Sequence, residues 1–143
     1  METNLDPILS VSAEPTYAGL FQRVKALAID WGVLLLVFVL AFNIIDFIGD
    51  APGYVRGGIF IFMFFLYDPL MTSFFGFTIG HYMMKLRVRD NGDHSKKILL
   101  PLAFVRSSVK GIFGWISFFS IGFNDRRRAL HDLASSAVVI EVD

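Results

Sequence analysis

The sequence predicts an all-α membrane protein. It has two transmembrane helices, a third short segment that is re-entrant or interfacial (or a third span), and a small cytoplasmic β-ribbon. Three observations carry this. The 143 residues are 55% hydrophobic and 18% charged, with a mean hydropathy of +0.58, whereas an ordinary soluble domain is about 25% charged. The apolar residues, 16 Phe among them, fall into blocks. The Lys and Arg residues gather on one side of those blocks, as the positive-inside rule expects of a membrane chain.

Residues 1–16 form the first element, a disordered cytoplasmic tail. They carry Glu2, Asp6 and Glu14, with neither the basic start nor the apolar centre of a signal peptide. The first span is therefore retained as an anchor, and residues 17–143 form one membrane domain. Residues 26–48 hold a single carboxylate before Asp46, Asp30, and are long enough to cross about 30 Å of hydrocarbon at about 1.5 Å per residue. Residues 57–80 form the second span, with Asp68 its only charge. The loop between them holds Asp46, Asp50 and Arg56, and its Gly and Pro residues suit a tight turn. After the second span, Lys85–Arg89 alternates with period two, as a half-buried strand does. Asn91-Gly92 is a hairpin dipeptide, and Lys97–Leu100 is a candidate return strand. Ala137–Val142, rich in β-branched residues, is another short strand. Pro101 opens a helix whose Phe104, Val105, Ser108 and Ile112 form an apolar stripe. Arg106 and Lys110 share a basic face, so the helix is expected at the interface with its cations snorkelling towards headgroups. Residues 111–123 are uncharged but too short for an ordinary crossing. Asn124-Asp125 resembles a helix start, and residues 124–143 are a cytoplasmic tail. The competing arrangement, three buried helices of a soluble bundle, lacks amphipathic helices to cover them.

Charge orients the spans. Arg23 and Lys25 precede the first, and all later cations except Arg56 follow the second. With two crossings and a dipping third segment, both termini are expected in the cytoplasm.

Composition also excludes functions. Thirteen basic residues balance thirteen acidic ones, so no basic field gathers nucleic acid. With no cysteine, there is no thiolate zinc site, Fe–S cluster or thiol nucleophile. His81, His94 and His131 lack metal spacing, and no phosphate loop or serine-nucleophile motif is present. Neither an enzyme nor a cofactor is expected.

The chemistry is expected to lie in the two acids of the spans. An ionised carboxylate in a bilayer costs about 2.5–3.5 kcal/mol on insertion scales and needs water, a partner or a proton. Asp30 either locks helices together by bonding Arg23, Arg106 or another cation, or takes part in transport. Asp68 precedes Pro69, which removes an amide hydrogen and weakens the ladder. Such an acid at mid-depth is one way transporters bind ions, and Thr72 lies one turn on. Asp30, Asp68 and Thr72 are thus a candidate ion or proton site. Arg87, Arg89, Arg106, Lys110, Arg126, Arg127 and Arg128 form a candidate cytoplasmic basic surface.

Three segments resemble one known family. Tyr17-Ala18-Gly19-Leu20-Phe21-Gln22-Arg23 continuing to Asp30 is similar to the opening helix of the RDD family. Gly76-Phe77-Thr78-Ile79-Gly80, then Lys85-Leu86-Arg87-Val88, resembles its central G-x-T-x-G segment and basic strand. Arg126-Arg127-Arg128-Ala129-Leu130-His131-Asp132 resembles its closing segment. His81 and Ala137 depart from the family's usual basic residue and Thr. The resemblance implies a small multi-pass protein of the bacterial inner membrane. It carries the name-giving Arg and two Asp onto Arg23, Asp30 and Asp132. It also implies transport of a small ligand, with cation/proton exchange for some members.

Two function classes result. One is a transport component, oligomeric because two spans cannot enclose a pathway. The other is a non-catalytic scaffold or assembly subunit that binds a partner protein or anionic lipid. Arg23 is expected to pair with Asp30 or Asp132. If Asp132 is the partner, exchanging the two charges should recover part of the stability that either single change loses.

Overall fold

Helix α1, Leu20–Ile48, begins where Gly19 is extended and its N–H is taken by the Gln22 side chain at 2.8 Å. The computed structural model describes residues 15–49 and 51–142. The expectations for residues 1–14, and for Asp50 and Asp143, lie outside them. The expected start of α1 at residue 26 is six residues late. Arg23 does not mark a helix end in water; it is 3% exposed and turned into the protein.

Helix α2 runs Gly53–Phe74, not 57–80. Pro52 precedes its first turn, where a fixed φ and missing N–H do no harm. Pro69 is accommodated inside it. The helix ends because Gly76 takes φ +78°, a conformation that side chains disfavour. Thr78 then caps a new short helix, α3 (Ile79–Met83), accepting the His81 N–H at 3.3 Å.

Strand β1 (Leu86–Asp90) pairs antiparallel with the C-terminal β2 (Ala137–Glu141), Val88 opposite Val139. This corrects the local hairpin expected from Asn91-Gly92. Lys97–Leu100 does not return as a strand, because Leu100 and Pro101 open helix α4 (Leu100–Phe113). Residues 16–18 run along the free edge of β2. Ala18 N–H donates to Val139 O at 3.0 Å, and Glu141 N–H to Thr16 O at 2.8 Å. Ala18, Ala26, Leu86, Val88, Ile98, Ala103, Ala137 and Val139 form the core around this ribbon.

After α4, a 3-10 helix (Gly114–Phe123) turns back. The segments Leu100–Phe113 and Ile116–Phe123 are bent by 109°. The next helix, α5, is Leu130–Ala134, several residues beyond Asn124-Asp125. Asn124 makes a turn instead, its side chain accepting the Arg126 N–H at 2.9 Å. The strand pairing fixes connectivity relative to a membrane. Residues 16–18, β1 and β2 share one ribbon, so an even number of crossings separates each from the next. Helices α1 and α2 supply two between the first pair. With α1 and α2 both crossing, the bent segment between β1 and β2 has its two ends on one side of the ribbon's membrane face.

The membrane reading rests on what stays uncovered. Both α1 and α2 are long and apolar, and only 11% of each one's most apolar 18-residue stretch is buried by protein. Outward residues such as Phe47, Leu35, Phe62 and Phe65 are exposed, an apolar surface far beyond what a soluble monomer shows. Among the described residues there are two membrane-length helices and one bent segment.

Candidate functional site

Helices α1, α2, α4 and α5 are joined by a chain of buried charges in alternating sign. Arg23 of α1 donates to Asp132 of α5. The other Asp132 oxygen accepts from Arg106 Nε of α4 at 3.0 Å. Arg106 Nη1 reaches Asp68 of α2 at 3.3 Å, and Lys110 Nζ of α4 reaches the same carboxylate at 2.8 Å. Ser107 adds a hydrogen bond to Asp68 at 2.6 Å. Arg23 also donates to the carbonyls of Ala18 (3.2 Å) and Arg127 (2.7 Å). Two guanidiniums thus share one carboxylate, with side chains at most 2% exposed. Burial, the largest single effect, would raise the Asp132 carboxyl, but Arg23, His131 and Arg106 together outweigh it and hold the group well below the usual range.

The spacing along α4 sets this arrangement. Arg106, Ser107 and Lys110 lie on one helical face, and that face points inward. The expected outward face is corrected: Phe104, Val105 and Ile112 are exposed, whereas Arg106 is 1% exposed. The carboxylates of Asp68 in α2 and Asp132 in α5 hold these cations inward.

Asp30 has no cation partner among the described residues. Its Oδ2 accepts from Thr78 at 2.6 Å, and its Oδ1 from Tyr67 at 2.8 Å and the Gly80 N–H at 2.7 Å. The Tyr67 oxygen in turn accepts the Ile79 N–H at 3.1 Å. Asp30 therefore anchors the start of α3, where unpaired amides favour an anion. Gly80 permits the approach: a Cβ there would lie 2.0 Å from the Ala26 carbonyl oxygen. Thr72 does not join Asp68's carboxylate. Its hydroxyl donates back to the Asp68 carbonyl at 2.7 Å, inside the ladder that Pro69 interrupts.

Asp30 and Asp68 nevertheless face one space. A cavity of about 470 Å³ lies between α1, α2 and α4. Leu27, Trp31, Leu34, Phe64 and Phe118 supply apolar wall, and Asp30, Tyr67, Asp68, Ser107 and Lys110 supply its polar part.

The basic surface is mostly internal stapling. Arg128 donates to the carbonyls of Ala137 (2.9 Å) and Asp132 (3.2 Å), and Arg126 to the Asn91 side chain (2.8 Å). Arg127 reaches the Tyr17 carbonyl at 3.4 Å. Arg87 and Arg89 lie against the Gly76-Phe77 turn.

One cluster was not legible in the sequence. Ser117 and His131 Nδ1 share a short hydrogen bond, and His131 Nε2 lies 3.5 Å from Asp132. The residue types are those of a hydrolase triad, but Ser117 and His131 are 1% exposed and Asp132 is 0%. No substrate reaches them, and Asp132 is committed to two guanidiniums. Burial pushes His131 down to about 3, against the pull of Asp132. His81, next to Thr78 Oγ1 at 2.5 Å, is likewise pushed well below its ordinary value by burial. Among the described residues no group of His, Asp and Glu is arranged to hold a metal.

The family model for the RDD family matches residues 17–136, from the edge segment beside β2 to the turn before it. The chain belongs to the RDD family. It is a multi-pass membrane protein of that family, and neither curated proteins nor solved structures gave a match. The residues carried over from the RDD signature separate in space by role. Arg23 and Asp132 meet directly, whereas Asp30 stands in the amide pocket of α3. Tyr67, Thr78, Gly80 and Ser107 complete the site. Of these, Thr78 and Gly80 lie in the Gly76-Phe77-Thr78-Ile79-Gly80 segment singled out in the sequence, whereas Tyr67 and Ser107 gave no signal.

Proposed function

We propose that this RDD protein binds a small amphipathic ligand within the membrane and takes part in its transport, as an oligomer or with a membrane partner. The cavity carries this reading. Its volume falls in the range of about 300–1,000 Å³ typical of small-molecule sites, which combine apolar walls with a few converging polar groups. Lys110 has three donors, of which Asp68 takes one. A ligand head that accepts hydrogen bonds fits the remainder, with its apolar body along Trp31, Leu34 and Phe64.

Cation or proton exchange at Asp68 has weaker support. That carboxylate already accepts from Lys110, Ser107 and Arg106, so an incoming cation must first displace an ammonium. The charged chain acts as the frame that holds α1, α2 and α4 around the cavity.

The test is small-molecule content. Purified wild type is compared by mass spectrometry with Gly111→Trp, which fills the cavity, and Lys110→Gln. A species enriched in wild type and absent from both folded variants supports the reading, and its flux in proteoliposomes then tests transport. Equal content in all three refutes it. A proton or cation flux abolished by Asp68→Asn would favour exchange instead. A stoichiometric partner lost on changing Arg126, Arg127 and Arg128 would favour the scaffold.

A further inference from the structure

Arg87 and Arg89 leave β1 on the same side, as residues two apart in a strand do. Across from them on β2 stand Ile140 and Val138, not acids. The Arg87 guanidinium lies over the Phe77 ring, 3.9 Å from its centroid, with Tyr82 at 5.7 Å. The Arg89 guanidinium lies on Gly76, where a Cβ would meet its Nη1 at 2.1 Å. Neighbouring residues of one turn therefore carry two guanidiniums side by side. Lys97 is close by, its Nζ donating to the Phe74 carbonyl at 2.7 Å.

This patch is electrostatically unfinished. Among the described residues no carboxylate forms an ion pair with Arg87, Arg89 or Lys97. Arg87 Nη1 is buried and makes no hydrogen bond, and an unmatched charged donor is costly. Burial and then the Arg87 charge both push the Arg89 pKa down. The patch also has a defined height. Phe74 is the last residue of α2, and Phe74, Phe75, Tyr82 and Met83 are all more than half exposed. Exposed aromatics beside cations at a span's end mark the boundary where lipid headgroups lie.

We propose that Arg87 and Arg89 hold the phosphate of a net-anionic lipid headgroup at the end of the second span. The planar forks suit phosphate oxygens. The stack on Phe77 keeps Arg87 aimed, and the bare backbone at Gly76 makes room for Arg89. Lys97 adds charge while capping the span. The site is separate from the cavity and does not depend on its occupant.

The experiment is native mass spectrometry of the full chain released from detergent after incubation with equal phosphatidylglycerol and phosphatidylcholine. Wild type should retain phosphatidylglycerol at least about fivefold over phosphatidylcholine, the factor expected per cation at such a surface. Arg87→Gln and Arg89→Gln should each lower that ratio by about the same factor. Arg126→Gln should leave it unchanged. If Arg87→Gln fails to fold, Arg87→Lys, which keeps the charge without the fork, and Arg89→Gln decide, and each should lower the ratio. Equal retention of the two lipids by wild type overturns the proposal, as does an unchanged ratio in the folded variants of both positions. Millimolar inorganic phosphate should not displace the lipid. Complete displacement would assign the site to free phosphate and overturn the lipid assignment.

Discussion

Replacing Asp132 by Asn removes one negative charge and almost no volume, and it tests the buried charge chain directly. The wild-type carboxylate faces Arg23 on one oxygen and Arg106 on the other, with all three side chains at most 2% exposed. In Asp132→Asn the two guanidiniums stay in place without their shared anion. Arg106 keeps Asp68 at 3.3 Å, and Arg23 keeps only the carbonyls of Ala18 and Arg127. Removing one member of a buried pair typically costs about 3–5 kcal/mol. The Asn oxygen can still accept the Ala129 N–H that Asp132 takes at 3.3 Å, so the loss reports charge and not the helix cap. The assay is unfolding in mixed micelles with increasing denaturing detergent, followed by circular dichroism. Asp46→Asn is the control, because its pair with Arg56 is 31–53% exposed and is worth about 0–1 kcal/mol. Arg23→Gln with Asp132→Asn should lose less than the sum of the singles by about 1 kcal/mol or more. The charge exchange, Arg23→Asp with Asp132→Arg, should not bring the recovery expected from the pair alone, because Arg106 would then face a guanidinium in place of its carboxylate. An Asp132→Asn loss below about 1 kcal/mol, no larger than that of Asp46→Asn, would refute the reasoning.

Four further outcomes follow from the geometry. Gly80→Ala should destabilise by about 1–3 kcal/mol in the same assay, since its Cβ would meet the Ala26 carbonyl at 2.0 Å and Asp30 Cγ at 2.8 Å. Gly58→Ala, in open space on α2, should stabilise by up to about 1 kcal/mol. His131, held near 3 by burial, binds fewer protons folded than unfolded. Its contribution is therefore complete above about pH 6.5 and declines as pH falls towards 3, by at most about 1.4 kcal/mol per unit. His81 acts in the same direction, so the melting temperature should fall on acidification from pH 6.5, with a shallower slope in His131→Gln. Cysteines placed at Gly53 and Ser95 of this thiol-free chain should label from opposite sides of sealed vesicles, Gly53→Cys from outside. Labelling of both from one side would remove the two-crossing arrangement.

The spans were legible because apolar blocks of that length have few other solutions. Their ends were not. The first came earlier than residue 26 because a buried partner lets Arg23 sit inside protein, and that partner lies 109 residues away. The second ended at Phe74, ahead of the positive φ at Gly76, rather than at residue 80, since a positive φ is a backbone property with no periodic signature. The ribbon was anticipated, but Lys97–Leu100 competed with β2 on local grounds, and only the packing decided. The face of α4 was misjudged for a related reason. The sequence shows which residues share a face, whereas the direction of that face depends on Asp68 and Asp132 in other elements. Asp30 was legible as an acid needing a partner. That the partner is a helix start, not a cation, follows from Gly80 lacking a side chain.

The pairing of Arg23 with Asp132 also has a consequence in time. At a synthesis rate of about 5–20 residues per second, the carboxylate emerges roughly 5–20 seconds after the guanidinium it must meet, given their separation of 109 residues. During that interval the first helix must already occupy its site of insertion with its cation unmatched. The last strand to be translated is the one that lies between β1 and residues 16–18. Nascent chains of this protein therefore cannot close the ribbon until β2 has been made, and the early arginine needs other shielding in the meantime.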